Sequence, residues 1–310
     1  MKISVVIPLF NKKDTILRSL NSVLKQTVLP EEIIVVNDGS TDGSEGFVTM
    51  LNHPLIRLLS QPNEGVSAAR NRGIVEAKGD WIAFLDADDY WDVDFLETII
   101  NLKERFTQAD IIFTSYRYVD SNKTSLPKHT FAKGEGFLTD YFKHAYRGSP
   151  PIHTDSVCVS KRALLHVGLF PVNVKIGEDL LTWARLAIAY KIAYSNSIKS
   201  NYSFPISVNS TTVFRLPDEE DVVGDELVNL LSLVPDKKTY CDLRKYISHW
   251  HKMRLHLFIH NNLRSQSNKE YLQCIKFNVF NYKAHLLFYY SFLPGFLKKI
   301  TMKIMSSSFK

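Results

Sequence analysis

The sequence has few cysteines, few glycines and prolines, and no long apolar run. Its three cysteines, Cys158, Cys241 and Cys274, are widely spaced and form no CxxC pair. This pattern argues against a disulfide framework or a zinc site and favours a reducing, cytoplasmic compartment. With 13 Gly and 12 Pro in 310 residues and 45% hydrophobic residues, the chain is not expected to be disordered.

No stretch reaches the roughly 18 uncharged apolar residues that a membrane-spanning helix needs. The N-terminal segment MKISVVIPLFN is interrupted by Pro8 and Asn11, and no small-residue cleavage site follows it. It therefore predicts a first strand and not a signal peptide.

Charge is segregated along the chain. The first 240 residues carry 26 Lys and Arg against 30 Asp and Glu, whereas the rest carry 12 against two. Residues 278–305 combine Phe, Tyr and Leu with Lys, which is typical of a segment lying in a membrane interface. A helical hairpin packed on the rest of the chain, or on the partner in a homodimer, is the alternative. Nucleic-acid binding is not expected, because no recognised module accompanies the charge.

Short apolar, β-branched runs alternate with helical patterns over about the first 120 residues. The runs ISVVIPL, EEIIVVN and DWIAFLD have the composition of strands buried on both faces. The alternation predicts an α/β fold with a doubly wound, mixed but mostly parallel sheet. We expect Asn11 to cap the first helix and Asp92 to cap the helix that follows DWIAFLD.

The later part of the chain changes character. Residues 121–150 predict an irregular excursion, and the strand SVCVS and the helix EDLLTWARLAIAY follow it. From Asp218 the pattern is all helical, beginning with an acidic helix that ends near Leu233. We therefore predict two domains, 1–217 and a basic, aromatic helical region 218–310.

Carboxylates follow two of the predicted parallel strands. Asp38 ends the second strand, and Asp86, Asp88 and Asp89 follow the fourth in FLDADD. Ligands of open α/β sheets bind beyond the carboxyl ends of the strands, where these loops converge. The loop after the first strand reads PLFNKKD, so the glycine-rich phosphate loop of dinucleotide folds is absent, as is GxxxxGK[ST].

A divalent cation would let such an acidic site bind a diphosphate. Mg²⁺ and Mn²⁺ prefer one or two carboxylates together with phosphate oxygens, which suits Asp86-Ala87-Asp88. The cation would also neutralise charge on a departing diphosphate.

Four motifs carry a resemblance to a known family. The segments VVIPLFNKKDTILRSLNSVLKQT, IIVVNDGSTDGS, NEGVSAARNRGIVEAKGDWIAFLDADD and GEDLLTWARLA closely resemble the family 2 inverting glycosyltransferases of the GT-A fold. The resemblance covers roughly residues 2–215, with the motifs in the expected order. It implies a GT-A sheet that binds a nucleotide-sugar donor, with the helical region as a C-terminal extension.

The resemblance also implies roles for individual residues. Asp38 would accept the imide hydrogen of a uracil-like base, Asp88 would ligate Mn²⁺ or Mg²⁺, and Asp179 would be the catalytic base, with Glu178 orienting the loop or the acceptor. The positive end of the helix beginning at EDLL would keep Asp179 ionised. The remaining residues expected to contact the nucleotide sugar are Pro8, Phe10, Asn11, Arg70, Asn71, Asp86 and Ala87.

Two departures from the family pattern matter. Members often have Tyr where this chain has Phe10, so a hydroxyl contact is missing while a stacking face remains. The QxxRW signature of processive synthases is absent, since TTVFRLP around Arg215 lacks both Gln and Trp. We therefore expect a single sugar to be transferred, with a lipid-linked precursor of a bacterial surface glycan as acceptor. The enzyme would then work at the inner face of the cell membrane.

Other interpretations remain open at this stage. Asp38 could form an Asx turn, the FLDADD acids could be a solvated loop, and Glu178-Asp179 could match a helix dipole. A sugar-phosphate nucleotidyltransferase would need a Gly- and Arg-rich loop after the first strand, and a non-catalytic binding protein would retain the fold alone. His153 is expected to be an ordinary partly buried residue that could lie near the acceptor. A solvated or interfacial helix face is expected for His249, His251, His256 and His260.

Overall fold

Strands and helices alternate along the N-terminal part of the chain, as its apolar runs predict. The computed structural model describes residues 1–120, 123–203, 216–234 and 236–293. The chain divides into two compact units, Met1–Thr211 and Thr212–Lys310. The domain boundary at 217 stays a prediction, because residues 204–215 lie outside the described residues.

The described residues of the N-terminal unit form ten strands and seven α-helices. In chain order they are β1 (Ile3–Leu9), α1 (Ile16–Leu24), β2 (Glu32–Asp38), α2 (Ser44–Leu51), β3 (Ile56–Gln61), α3 (Val66–Glu76), β4 (Trp81–Phe84), β5 (Tyr90–Trp91), α4 (Phe95–Arg105), β6 (Ile111–Asp120), β7 (Lys123–Ser125), β8 (Glu135–Phe137), α5 (Tyr141–Arg147), β9 (Val157–Ser160), α6 (Lys161–His166), α7 (Glu178–Ala189) and β10 (Ile192–Ser203).

These strands form one mixed sheet with the order β3-β2-β1-β4-β9-β6-β10-β5, and β7 and β8 pair with β6 and β10. Strands β3, β2, β1 and β4 are parallel, as are β6 and β10. Strand β9 runs antiparallel to both of its neighbours, β4 and β6. The α/β class and the mostly parallel sheet predicted from the sequence are confirmed.

The registers bring distant loops to one edge of the sheet. Leu9 pairs with Asn37 and Val6 with Phe84, so β1, β2 and β4 end side by side. Because β9 is antiparallel to β4, the residues that precede β9 lie at this same edge. The sequence predicted β9 as a strand, but its four residues carried no sign of its direction.

Close packing fixes α3 against the sheet. Val5, Val6 and Ile7 of β1 are fully buried, which matches the apolar run of the sequence. Gly73 of α3 lies so near β1 that an added Cβ would come within 2.4 Å of Val6 Cγ1. A larger residue there would push α3, and the arginine it carries, away from the sheet.

Both predicted helix caps are wrong. Helix α1 begins only at Ile16, and Asn11 has a φ of 52° in the preceding loop. Helix α4 begins at Phe95, and the Asp92 carboxylate instead accepts a hydrogen bond of 2.6 Å from Arg117. The excursion at 121–150 includes β7, β8 and α5, and the sequence analysis missed β10 because its polar residues hide a strand pattern.

The described residues of the second unit are helical, as predicted. Its α-helices are α8 (Val222–Asn229), α9 (Lys237–His260), α10 (Arg264–Phe277) and α11 (Tyr282–Ser291), with a 3₁₀ turn at Leu230–Leu233. No helix among these residues, or among those described in the first unit, is long and apolar enough to cross a bilayer.

A buried ionic cluster joins α9 to α10 and to the residue before α8. Arg254 Nε lies 2.8 Å from Glu270 and 3.2 Å from Asp221, and His251 Nδ1 lies 2.8 Å from Glu270. Asp221, His251 and Glu270 could in principle ligate a metal, but the guanidinium of Arg254 already contacts both carboxylates. His251 is buried, so the prediction that it lies on a solvated or interfacial face is wrong.

We expect Glu270→Gln to destabilise the helical unit by about 3 kcal/mol, because it removes the charge of the buried carboxylate that both Arg254 and His251 contact at 2.8 Å. His251 and Arg254 lower the pKa of Glu270 although burial opposes this. The stabilisation is therefore present above the ordinary Glu pKa of about 4.3 and is lost as pH falls through the lower folded value. Urea unfolding at pH 7 and pH 3 measures both effects.

Glu220→Gln, at an exposed position that forms no contact in the cluster, is the matched control. Equal unfolding free energies for Glu270→Gln and Glu220→Gln at pH 7 would contradict the assignment.

Candidate functional site

The carboxylate of Asp38 ends β2 and is almost completely buried. Its Oδ1 accepts hydrogen bonds from Gln61 Nε2 at 2.8 Å and from the backbone N–H of Glu64 at 2.9 Å, and its Oδ2 accepts one from Gly65 N–H at 2.8 Å. Asp38 thus fixes the loop between β3 and α3. A carboxylate has about four acceptor positions, so one remains for a ligand donor.

The loop after β1 lies beside the loop after β2. Asn11 Oδ1 accepts the backbone N–H of Thr41 at 2.8 Å, and the Asn11 N–H donates to Ser40 at 3.1 Å. Phe10 is 43% exposed and Pro8 is partly exposed. An aromatic face is therefore available next to the end of β2, where Asp38 lies. Contacts of these residues with a nucleotide stay predictions.

Arg70 on α3 connects two parts of the site that lie far apart in sequence. Its Nη2 donates to both oxygens of Asp86, at 2.8 and 3.1 Å, and its Nη1 donates to Glu178 at 3.2 Å. The guanidinium carbon lies 5.4 Å from the centre of the Phe170 ring. Arg70 is itself 3% exposed. The end of β4 and the start of α7 therefore meet at one buried cation.

Asn71 has a positioning role in the structure. Its side-chain N–H donates to the carbonyl of Phe170 at 2.8 Å, and its Oδ1 accepts the Phe170 N–H at 2.9 Å. The Phe170 ring packs edge-on against Phe84 of β4 and Trp183 of α7. These contacts fix the segment that leads to α7. A direct contact of Asn71 with a nucleotide sugar stays a prediction.

The residues after β4 lie in different environments. Ala87 is buried in the hydrophobic core. Asp88 has a side chain one-third exposed and forms an ion pair with Lys12. Asp89 is fully buried and accepts the Ser203 N–H at 2.6 Å. Burial and the adjacent Asp155 raise the pKa of Asp89 to about 11, so it carries a proton at neutral pH.

Asp155, just before β9, was not recognised in the sequence. Its Oδ1 accepts the N–H of Asp86 at 2.5 Å, and its Oδ2 lies 2.9 Å from His153 Nδ1. Although burial opposes ionisation, the His153 and Asp89 hydrogen bonds lower the pKa of Asp155. Asp155 is a single acidic residue before a short strand, and only the antiparallel direction of β9 brings it to the site.

Asp179 lies in the first turn of α7, after Gly177 with a φ of 87°. Burial and the charge of Glu178 raise its pKa to about 6, against the opposing effect of Arg70. The helix end was expected to favour the ionised form, and desolvation acts against it by raising the pKa. At neutral pH Asp179 is still mostly ionised, and it is a stronger base than an ordinary aspartate.

The donor set at the crevice fits one protein ligand for a hard divalent cation. Asp88 offers accessible carboxylate oxygens, and one cationic group already contacts them. Asp86, Asp89 and Asp155 bring three further carboxylates within 4.8 Å of one another. Asp86 pairs with Arg70 and Asp155 lies beside His153, while Asp88 pairs with Lys12, so ligation of a cation by Asp88 stays a prediction.

The comparisons with known proteins agree with this architecture. The family model described as glycosyl transferase family 2 matches residues 4–168. A glycosyltransferase of uncharacterised function from Rickettsia felis is 30% identical over 305 residues, covering 97% of this chain and 48% of that protein. The glycosyltransferase YibD of Escherichia coli is 45% identical over 103 residues, which is 33% of this chain and 30% of that protein. The chain thus spans about half or less of the length of these relatives.

Solved structures show the same fold. Crystal structures of S. aureus TarS match with a TM-score of 0.66 at 19% identity, covering 91% of this chain and 54% of that chain. A TarS fragment, residues 1–349, in complex with UDP-GlcNAc matches with a TM-score of 0.62 at 18% identity, covering 89% and 91%. With the family match over more than half of its residues, this chain belongs to the family 2 glycosyltransferases of the GT-A fold.

Proposed function

We propose that the chain is an inverting glycosyltransferase that moves one sugar from a nucleotide diphosphate sugar to a hydroxyl acceptor, with Asp179 as general base. The observation that carries this proposal is the position of Asp179. It has a pKa near 6 and lies beside the Arg70 cluster, at the edge of the sheet where Asp38 ends β2. A UDP-sugar donor is supported by the UDP-GlcNAc complex of the structural neighbour.

The mechanism follows from the residues of the site. The acceptor hydroxyl attacks the anomeric carbon directly, its proton passes to Asp179, and the bond to the diphosphate breaks with inversion. Arg70 holds Glu178, and hence the start of α7, against Asp86, so that the base keeps a fixed position. Asp88 would hold Mn²⁺ or Mg²⁺, which when bound supplies positive charge for the leaving diphosphate.

Two rival functions are less well supported. The loop after β1 has neither glycine nor arginine, which weighs against a sugar-phosphate nucleotidyltransferase. A non-catalytic binding protein would have no need of a base whose pKa lies near neutrality. Hydrolysis of UDP-GlcNAc in the presence of Mn²⁺ separates an enzyme from such a protein.

The helical unit supports a peripheral position at the inner face of the cell membrane, near a lipid-linked acceptor. Tyr282, Leu286 and Tyr289 recur at helical spacing on one face of α11, with Phe280 just before it, and all four are at least half exposed. The excess of Lys and Arg after residue 240 would attract anionic lipid. Residues 294–305 of the predicted interfacial segment lie outside the described residues. A homodimer that covers this face is the competing arrangement.

The base assignment predicts the effect of Asp179→Asn. We expect turnover to fall by about two or more decades, because an amide cannot accept the proton, while donor binding is retained. In the unmodified protein the rate should fall as pH drops through about 6, because Asp179 is then protonated. Rates of UDP-GlcNAc hydrolysis between pH 5 and pH 9 measure both effects.

Asp80→Asn makes the same chemical change at an exposed position before β4, at the other edge of the sheet. It should leave the rate unchanged. A rate for Asp179→Asn equal to that of Asp80→Asn would refute the assignment of the base.

The metal assignment predicts that Asp88→Ala abolishes the enhancement of UDP binding by Mn²⁺, since Asp88 is the proposed ligand of the cation. Isothermal titration calorimetry with UDP, with and without Mn²⁺, measures this effect. The same titration with GDP tests the preference for uracil over guanine. The Asp80→Ala variant should behave like the unmodified protein. An undiminished Mn²⁺ effect in Asp88→Ala would show that another group holds the cation.

The membrane assignment predicts binding to vesicles that contain phosphatidylglycerol but not to vesicles of phosphatidylcholine alone. We expect the triple variant Phe280→Ser, Leu286→Ser, Tyr289→Ser to lose most of this binding, measured by sedimentation. Three equivalent changes at exposed apolar residues of the first unit, Met50→Ser, Val75→Ser and Leu126→Ser, are the control. Vesicle binding that survives the triple change, or a dimer that the change dissociates, would overturn the assignment.

A further inference from the structure

Lys12 lies in the loop between β1 and α1 and reaches the loop that follows β4. Its Nζ forms an ion pair with Oδ2 of Asp88, which lies 76 positions later in the chain. The side chain of Lys12 is 41% exposed and that of Asp88 33% exposed, so the pair is open to solvent. The carboxylate that is proposed to ligate a divalent cation is therefore in contact with a lysine ammonium.

The two loops are also joined by contacts that do not involve this ammonium. Arg18 of α1 donates through Nη2 to the carbonyl oxygen of Asp88 at 2.5 Å. Ser19, the next residue of α1, donates through its hydroxyl to the carbonyl oxygen of Asp89 at 2.6 Å. The start of α1 thus stays attached to the loop after β4 when the charge of Lys12 is removed. The ion pair can break without separating the elements that carry it.

A lysine ammonium and a divalent cation compete for the same carboxylate. Mg²⁺ and Mn²⁺ bind through carboxylate oxygens, and two cations at one carboxylate repel each other. An ion pair as exposed as that of Lys12 and Asp88 is weak, so a divalent cation can displace the ammonium.

The displaced ammonium has a second anion within the proposed ligand. Lysine carries its charge as a point at the end of a flexible four-carbon stem, and it commonly binds phosphate oxygens. A diphosphate that reaches a cation on Asp88 brings several such oxygens close to Lys12. The ammonium can therefore exchange a carboxylate partner for a phosphate partner.

We propose that Lys12 is a counter-ion of Asp88 that couples metal binding to nucleotide binding: its ammonium competes with a divalent cation for Asp88 and passes to the diphosphate when nucleotide and cation bind together. Lys12 thus weakens the binding of free metal and strengthens that of the nucleotide in the presence of metal. The inference rests on the proposed function, because it takes Asp88 as the metal ligand and a nucleotide diphosphate as the partner of the released ammonium.

Lys12→Met tests the inference on the full chain, since it removes the ammonium and keeps an apolar stem. Electron paramagnetic resonance of free Mn²⁺ gives the affinity for metal alone, and the binding that Asp88→Ala removes defines the site. We expect Lys12→Met to bind Mn²⁺ about fivefold more tightly than the unmodified protein. In calorimetry at saturating Mn²⁺, the same variant should bind UDP about tenfold more weakly, because a charge-assisted hydrogen bond to phosphate is lost.

Lys13→Met is the matched control, because it removes the same charge from the next residue. Lys13 is exposed, and its ammonium contacts no acidic side chain in the part of the chain that the structure describes. Its backbone N–H donates to Asp42 at 2.9 Å, a contact that the substitution leaves in place. We expect both affinities to stay within about twofold of those of the unmodified protein, since solvent and salt screen an exposed charge.

Opposite changes in the two affinities are the decisive result, because a purely structural role of Lys12 would weaken both. Unchanged Mn²⁺ binding in Lys12→Met, unchanged UDP binding, or equal changes in Lys12→Met and Lys13→Met would each overturn the inference. If Asp88→Ala still abolishes Mn²⁺ binding in these cases, the proposed metal ligand stands without it. Full Mn²⁺ binding by Asp88→Ala would overturn both the metal assignment and the inference.

Discussion

The buried guanidinium of Arg70 holds the site together. It ties Asp86, at the end of β4, to Glu178, at the start of α7, although these residues are 92 positions apart in the chain. Acids brought this close in a partly buried crevice would otherwise repel one another or take up protons. Arg70 lies against the Phe170 ring, and the close approach of Gly73 to β1 keeps α3 in place. One cation on one well-packed helix therefore decides whether the two halves of the site meet.

Around this ion pair, chemically similar carboxylates acquire different properties. Asp89 carries a proton because it is buried beside Asp155, whereas Asp155 is ionised because it faces His153. Asp88 is partly exposed and contacts Lys12. Asp179 has a pKa near 6, close to the value that suits proton transfer at neutral pH. The differences arise from burial and from the sign of the nearest charge.

The sequence predicted the strands best where apolar runs are unbroken, as in β1, β2 and β4, and it placed Asp38, Asp86 and Asp179 at element ends. It missed β10, whose Ser195, Ser200 and Asn201 are buried polar residues and not an apolar pattern. It could not give the direction of β9, which four residues do not encode. Asn11 does not cap α1, because its side chain instead accepts a hydrogen bond from Thr41 in the neighbouring loop, 30 positions away in the chain.

A similar limit applies to the partners of the acids. Asp155, His153 and Lys12 reach the site only through sheet order and loop packing, and such long-range contacts leave no local pattern in a single sequence. Asp92 shows that a local pattern can also mislead. It precedes a helix as a capping residue would, yet its carboxylate accepts a hydrogen bond from Arg117 on β6. The local sequence therefore indicated candidate site residues, and the fold determined which of them come into contact.

The central claim is that acids from separate loops surround a single nucleotide-sugar site. A crystal structure of the full chain with UDP and Mn²⁺ tests it most directly, with anomalous scattering to locate the metal. We expect the uracil beside Asp38 and Phe10, the metal on Asp88 between protein and diphosphate, and the Asp179 carboxylate open to the space beyond the β-phosphate. A nucleotide bound elsewhere, or a metal held by residues away from Asp88, would contradict it.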